Sequence, residues 1–264
     1  VIRHYVFENV HYWQVARSLA GKYLYSTGFF FLDPFLIDCG PVNMFHPVSK
    51  LFQQLPATKI IITHHHEDHT GNLSRLLALR EMSVFAHSRS EELLGKASRE
   101  IPFWRKLVWG RPEPAQMIPA PEILETAQYG LQVLSTPGHS DDHICLFEPV
   151  RRWLFTGDLY LASYLRYLRD DENIYEIMES LRKVIELKPQ VVFCGHRGFI
   201  PDGERQLSKK LAFLETLRDE VLQSQQEGMP MNDFLERKFK GDRFFRWLSR
   251  GEFCTQNLVR AFVR

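Results

Sequence analysis

Apolar positions follow two different periods along the chain. Up to about residue 200, short β-branched and aromatic runs alternate with stretches of helical period, which predicts an α/β arrangement. Beyond Pro201-Asp202-Gly203 only the helical period persists. Phe35-Leu36-Ile37 and Lys59-Ile60-Ile61-Ile62-Thr63 are unbroken apolar runs that read as buried strands, and they end at Asp38 and at His64. Further strands are predicted over Met82–Ala86, Leu131–Ser135, His143–Phe147, Trp153–Phe155 and Val191–Phe193. Asn72 is placed to cap a helix carrying Leu73, Leu76 and Leu77. Ile174, Ile177, Met178, Leu181, Val184 and Ile185 share one face of another helix, which stops before Pro189. Leu207, Leu211, Leu214, Leu217 and Val221 carry the helical period into the tail. The expected organisation is a domain over 1–203 and a C-terminal helical subdomain over 204–264, without internal repeats.

One stretch breaks the pattern. Ile101 to Pro121 holds five prolines together with Phe103, Trp104 and Trp109, and reads as an irregular excursion that either walls a site or packs on the core.

Composition narrows the classes. A chain of 264 residues, 44% of them apolar, can bury a sizeable core. Its 33 basic and 32 acidic side chains leave a formal net charge of +1, so no global field calls for nucleic acid or an anionic membrane as partner. Phe29 to Ile37, the longest apolar stretch, is interrupted by Asp33 and Pro34 and is too short to span a bilayer. Val1 to Tyr12 lacks the apolar region of a signal peptide. The four cysteines, Cys39, Cys145, Cys194 and Cys254, are far apart, which suits reduced thiols, and a cytoplasmic protein is expected.

The chemistry concentrates in His64-His65-His66-Glu67-Asp68-His69. Imidazole and carboxylate are the ligands expected of zinc, manganese or iron at a hydrolytic centre. His64 and His66, at alternate positions, can face one ion while Asp68 and His69 turn toward a second. His139, Asp158 and His196 each follow an apolar run and stand next to a glycine, where the backbone can approach a site closely. Together these are seven candidate ligands, enough for a two-metal site.

This pattern resembles the metallo-β-lactamase superfamily. The HxHxDH motif is matched by His64 to His69, and later signatures by Thr136-Pro137-Gly138-His139, Phe155-Thr156-Gly157-Asp158 and Gly195-His196. The resemblance spans about 35 to 200 and implies a four-layer αββα sandwich, here with a C-terminal helical extension. It implies that His64, His66 and His139 bind one metal, that Asp68, His69 and His196 bind the other, and that Asp158 bridges them. Asp38 corresponds to a structural position beside the site. The bridging aspartate is absent from true β-lactamases of the family, and the phrase from Thr136 to His143 is similar to the group of glyoxalase II, thioesterases and lactonases. The tail departs from glyoxalase II, whose basic and aromatic residues for a glutathione thioester are not matched here.

The resemblance thus implies a hydrolase with two divalent ions, zinc first and manganese or iron as alternatives, acting on a small ester, thioester or lactone. Metal binding lowers the pKa of water from ~15.7 to roughly 7, which makes a nucleophile available. Asp68 is the candidate to shuttle a proton, and Arg197, Tyr160, Tyr164 and Tyr167 are candidates for holding developing charge. His65 and Glu67 are expected to support ligands or face solvent; His143 is read equally as support for a ligand or as an ordinary strand residue. His4, His11, His46 and His87 have no partners in the pattern. Between Arg237 and Trp247 basic and aromatic residues interleave, which would suit single-stranded nucleic acid. Phe244, Trp247 and Leu248 at packing spacing give a simpler account. The second reading is therefore a nuclease or phosphodiesterase, and the third an iron-dependent oxygenase.

Overall fold

A computed structural model describes residues 1–19, 22–126, 128–239 and 243–263. The first sheet runs in chain order: β1 (Ile2–Phe7), β2 (Val10–Leu19), β3 (Lys22–Leu32), β4 (Phe35–Ile37), β5 (Lys59–Ile61), β6 (Ser83–Ala86) and β7 (Ile118–Pro119). It is an antiparallel meander through β4 and parallel from there to β7. The second sheet is built from β8 (Ile123–Glu125), β9 (Gly130–Ser135), β10 (Ile144–Glu148), β11 (Trp153–Gly157), β13 (Val191–Cys194) and β14 (Gly198–Pro201), in the order β14-β13-β11-β10-β9-β8. A separate ribbon pairs β12 (Leu168–Arg169) with β15 (Phe253–Cys254).

The unbroken apolar runs are explained by burial on both faces. Along β3, Phe29 and Phe31 point to one core while Phe30 and Leu32 point to another. In β10, Ile144 and Leu146 face the inter-sheet core and Cys145 and Phe147 the opposite side. The middle core lies between the sheets. The helices α1 (Phe45–Gln54), α3 (Leu73–Leu77) and α4 (Ser90–Glu100) cover the outer face of the first sheet through Val48, Phe52, Leu73, Leu76 and Leu94. The outer face of the second is covered by α6 (Ile174–Ile185), α7 (Gly203–Gln226), α8 (Met231–Phe239) and α10 (Thr255–Ala261). The layers are αββα, as the resemblance implied. Among the described residues no helix is long and apolar enough to cross a membrane.

Several local expectations need correction. Asn72 stands at the N-cap of α3 without a capping bond; its amide donates to the Cys39 carbonyl at 2.9 Å, tying the helix to the strand-end loop after β4. The 101–121 excursion is not irregular throughout, since Phe103–Val108 forms α5 and Ile118–Pro119 forms β7. Pro102 precedes α5, where a missing N–H breaks no helical bond. The tail is not helical throughout, because β15 interrupts it before α10. In the basic aromatic segment, Lys240, Gly241 and Asp242 lie outside the described residues, as does the side chain of Phe244. α9 (Arg243–Leu248) leaves Trp247 76% exposed, so that ring does not pack as its spacing suggested.

Candidate metal centre

All the candidate ligands converge at one end of the sandwich. His64 follows β5, His66 is the N-cap of α2 (Glu67–Thr70), and Asp68 and His69 lie within that helix. His139 lies in the loop between β9 and β10, Asp158 directly after β11, and His196 in the turn between β13 and β14. Ligand atoms of His64, His66 and His139 lie within 4.8 Å of one another, and so do those of Asp68, His69, Asp158 and His196. Asp158 reaches both groups: Oδ1 is 3.3 Å from His69 Nε2 and 3.2 Å from His196 Nε2, while Oδ2 is 3.4 Å from His139 Nε2. Asp68 Oδ2 is 3.3 Å from His196 Nε2. Glycine allows this crowding at Gly195, where a Cβ would sit 2.9 Å from His69 Cε1.

Outward hydrogen bonds fix which ring nitrogen faces inward. His69 Nδ1 lies 2.8 Å from Asp38 Oδ2 and His196 Nδ1 2.6 Å from the Ser26 carbonyl. His139 Nδ1 contacts Glu172 Oε1. These oxygens only accept, so each Nδ1 carries a proton and each Nε2 is the atom turned toward the cluster. For His64, Thr63 Oγ1 donates to Asp38 at 2.9 Å and therefore accepts from Nδ1 at 3.0 Å, again freeing Nε2. His66 turns the other way: Nδ1 is 2.9 Å from His139 Nε2, and Nε2 is 3.0 Å from Arg169 Nη1.

The donor set fits divalent cations. Buried His64 Nε2, His69 Nε2 and Asp158 Oδ1 make no well-aligned hydrogen bond, although His69 Nε2 and Asp158 Oδ1 lie 3.3 Å apart, an arrangement that costs ~1–3 kcal/mol per group unless a cation satisfies it. Burial, reinforced by His69 and His139, holds the His64 imidazolium well below its usual range. Burial and then Arg169 do the same to His66. Burial also opposes charge on His69 and His196, but Asp38, Asp68 and Asp158 outweigh it at His69, and Asp158 and Asp68 outweigh it at His196, raising both well above the usual range. Burial would raise the Asp158 carboxyl, yet His196 and His69 hold it well below the carboxylate range. Without a cation, the second cluster balances its carboxylates with imidazolium protons; a bound divalent ion would displace them.

Several residues around the centre carry no sequence signal. Glu172 and Arg169, which hold His139 and His66, come from the β12 segment, and Arg169 is itself gripped by Asp171 at 2.7 and 2.9 Å. Asp142 accepts from His65 at 2.8 Å and from Ser90 at 2.8 Å. Glu67, 1% exposed, is paired with the buried Arg105 of α5, whose Nε lies 2.6 Å from Oε1 and whose Nη2 contacts Oε2. Glu252 joins the same group, 2.6 Å from Trp104 Nε1. His143 supports a candidate ligand: its Nε2 accepts from Asp158 N at 3.1 Å and its Nδ1 contacts Thr136 Oγ1 at 2.9 Å. Burial first, then His139, lowers its pKa to about 3.

Both clusters open into one cavity of about 460 Å³. Trp104, Trp109, Tyr25, Leu161, Leu165 and Phe253 give it an apolar, aromatic wall, so the excursion forms part of the site. Tyr164, Tyr167 and Arg197 also line it. Tyr160 does not: its hydroxyl is 2.9 Å from Ser163 Oγ and 3.3 Å from Gln206 Oε1, which removes it as a candidate for holding developing charge.

Similarity to known proteins follows the same residues. The "Beta-lactamase-like protein 2 homolog" of Drosophila melanogaster is 29% identical over 176 residues, covering 63% of this chain and 56% of the relative. A "Hydroxyacylglutathione hydrolase" of Bdellovibrio bacteriovorus is 28% identical over 161 residues, covering 60% of this chain and 55% of the relative. The chain thus spans little more than half the length of these relatives. Among solved structures, TTHA1623 in a di-iron-bound form is 26% identical with a TM-score of 0.57, covering 72% of this chain and 96% of that one. A metallo-β-lactamase family protein of Thermus thermophilus, 23% identical over 82% of each chain with a TM-score of 0.63, shares the fold. Residues 33–196, which hold every candidate ligand, match the profile of the Metallo-beta-lactamase superfamily. With its paired histidine and aspartate clusters at the edge of an αββα sandwich, this chain belongs to the metallo-β-lactamase superfamily.

Proposed function

We propose that the chain hydrolyses a small ester, thioester or lactone at a centre of two divalent ions, zinc by preference. His64, His66 and His139 would hold one ion, Asp68, His69 and His196 the other, and Asp158 would be shared. The observation that carries this reading is Asp158, whose two oxygens face the two clusters from a position 7% exposed. The cations would supply acidification of water and polarisation of a carbonyl oxygen. The chain's own residues do the rest. Asp38, Glu172 and the Ser26 carbonyl hold three imidazoles in the ligating tautomer. The apolar wall of the cavity would lower the polarity around the centre, and Asp68 would take a proton.

The apolar character of the cavity favours an acyl substrate over a polyanion, in keeping with the relative named a hydroxyacylglutathione hydrolase. Four unpaired, buried cysteines support a reducing, cytoplasmic setting. The division into a catalytic domain, 1–203, and a helical subdomain, 204–264, belongs to the same proposal. A nuclease is the second reading, favoured by a surface cavity of about 590 Å³ lined by Arg246, Trp247, Arg250 and Arg260.

A panel of thioesters, lactones, phosphodiesters and β-lactams tests this with metal-loaded protein. Turnover of an ester-type substrate, abolished by chelation and by Asp158→Asn, is expected. Cleavage of a single-stranded oligonucleotide with no ester turnover would reverse the reading. Asp68→Asn should lower turnover more than metal content; equal loss of both would remove its role as proton acceptor.

A further inference from the structure

The cavity beside the two clusters is lined by a buried cation that the candidate ligands do not engage. Lys210, on α7, is 3% exposed yet lines the cavity together with Leu159, Ile177 and Leu168. Its Nζ donates to the Leu159 carbonyl at 2.6 Å, the one side-chain hydrogen bond it makes among the described residues. An ammonium has three N–H donors, so two remain for other partners. The charges that face it are Glu172 and Asp158, with the Cys194 thiol beside them, and both carboxylates are already engaged, Glu172 by His139 and the Arg169 amide, Asp158 by the metal cluster. No carboxylate reaches ion-pair distance of Nζ among the described residues.

A buried charge without a counter-charge is unfavourable, and proteins otherwise pair or solvate it. Burial lowers the Lys210 pKa to about 8, which still leaves the group largely protonated at neutral pH. The other cations of the cavity differ from it in place or partner. Arg105 and Arg169 are committed to Glu67 and Asp171, while Arg166 and Arg197 line the cavity from exposed positions. Lys210 therefore combines burial, spare donors and access to the space where substrate would lie.

We infer that Lys210 is a substrate-recognition residue whose ammonium receives a carboxylate, so that the substrate is an otherwise apolar ester or thioester bearing one carboxylate group. This rests on the hydrolase reading above, with the substrate occupying the same cavity. The carboxylate belongs either to the acyl part or to the leaving group; both present the same chemistry to Nζ.

Lys210→Gln tests this, because glutamine keeps a donor for the Leu159 carbonyl and removes the charge. Three thioesters are compared on metal-loaded protein: one with the carboxylate on the acyl chain, one with it on the leaving thiol, and an uncharged isostere. Wild type is expected to prefer one of the carboxylates over the isostere by tenfold or more in kcat/KM. That ratio should collapse toward unity in Lys210→Gln and return in part in Lys210→Arg. The arm that shows the preference identifies which side of the scissile bond reaches Lys210. A ratio unchanged in Lys210→Gln, or no preference in wild type, overturns the inference, and general damage to the fold would lower all three rates without moving the ratio.

Calorimetric binding of hexanoate and hexanol to metal-free protein keeps the test independent of turnover. Weakening of hexanoate by tenfold or more in Lys210→Gln, with hexanol unaffected, supports the inference even if no thioester is hydrolysed. Equal affinity of hexanoate for both proteins overturns it.

Discussion

Replacing Arg105 by methionine would leave Glu67, 1% exposed, as a buried carboxylate without its counter-charge. In the native chain two N–H groups of the guanidinium grip that carboxylate, and Nη1 reaches Glu252 at 3.5 Å. Truncating one side of such a pair costs ~3–5 kcal/mol, because the remaining charge retains its desolvation penalty. Replacing both sides, Arg105→Met with Glu67→Gln, removes both charges and is expected to stay within ~1–2 kcal/mol of wild type. Urea unfolding of metal-free wild type, both single variants and the double variant yields the coupling energy directly. The expected coupling is at least ~2 kcal/mol, given the burial of both groups. A loss below ~1 kcal/mol in Arg105→Met, the range of an exposed ion pair, would refute the reasoning. The pair also bears on the centre, since Glu67 lies between His66 and Asp68.

Two further outcomes are expected. Burial would raise the Asp142 carboxyl, but bonds from His65, Ser90 and Ser140 outweigh it and hold it at about 2 against an ordinary 3.8. A depressed carboxyl stabilises the fold above its unfolded pKa, and that contribution is lost as pH falls through the folded value. The stability gap between wild type and Asp142→Asn should therefore be full above about pH 4, near 2 kcal/mol at ~1.4 kcal/mol per unit, and should shrink toward pH 2 in denaturant titrations of metal-free protein; a gap independent of pH would exclude this linkage. Asp38→Ala removes the acceptor for His69 Nδ1 and for the Thr63 amide at 2.9 Å. It should weaken metal binding about 10–100-fold in competition with a chromophoric chelator, and an unchanged affinity would show that the His69 tautomer needs no partner.

The candidate ligands were legible because each ends or follows an apolar run, and their order matched a known motif. The inner-outer division of the strands was legible for the same reason: Ile60, Ile61 and Ile62 must be buried whichever face they occupy. The positioning residues were not. Glu172, Arg169 and Asp142 meet their histidines across 33, 103 and 77 residues, and a single polar residue in a loop carries no periodic signal of such a partner. Glu67 lay inside the motif, but its partner came from the proline-rich stretch that read as irregular. The ribbon of β12 and β15 has two residues per strand, too few for any alternation to register. Tyr160 was misplaced because proximity to Asp158 in sequence does not fix the direction of a ring.

In the proposed function, the seven candidate ligands form a single site for two metal ions. Equilibrium dialysis of metal-free protein against zinc, followed by elemental analysis, measures this most directly. Two ions retained per chain, falling when His64 and His69 are both replaced by alanine, is the expected result. Retention of no more than one ion by wild type, or retention indifferent to those replacements, would contradict it.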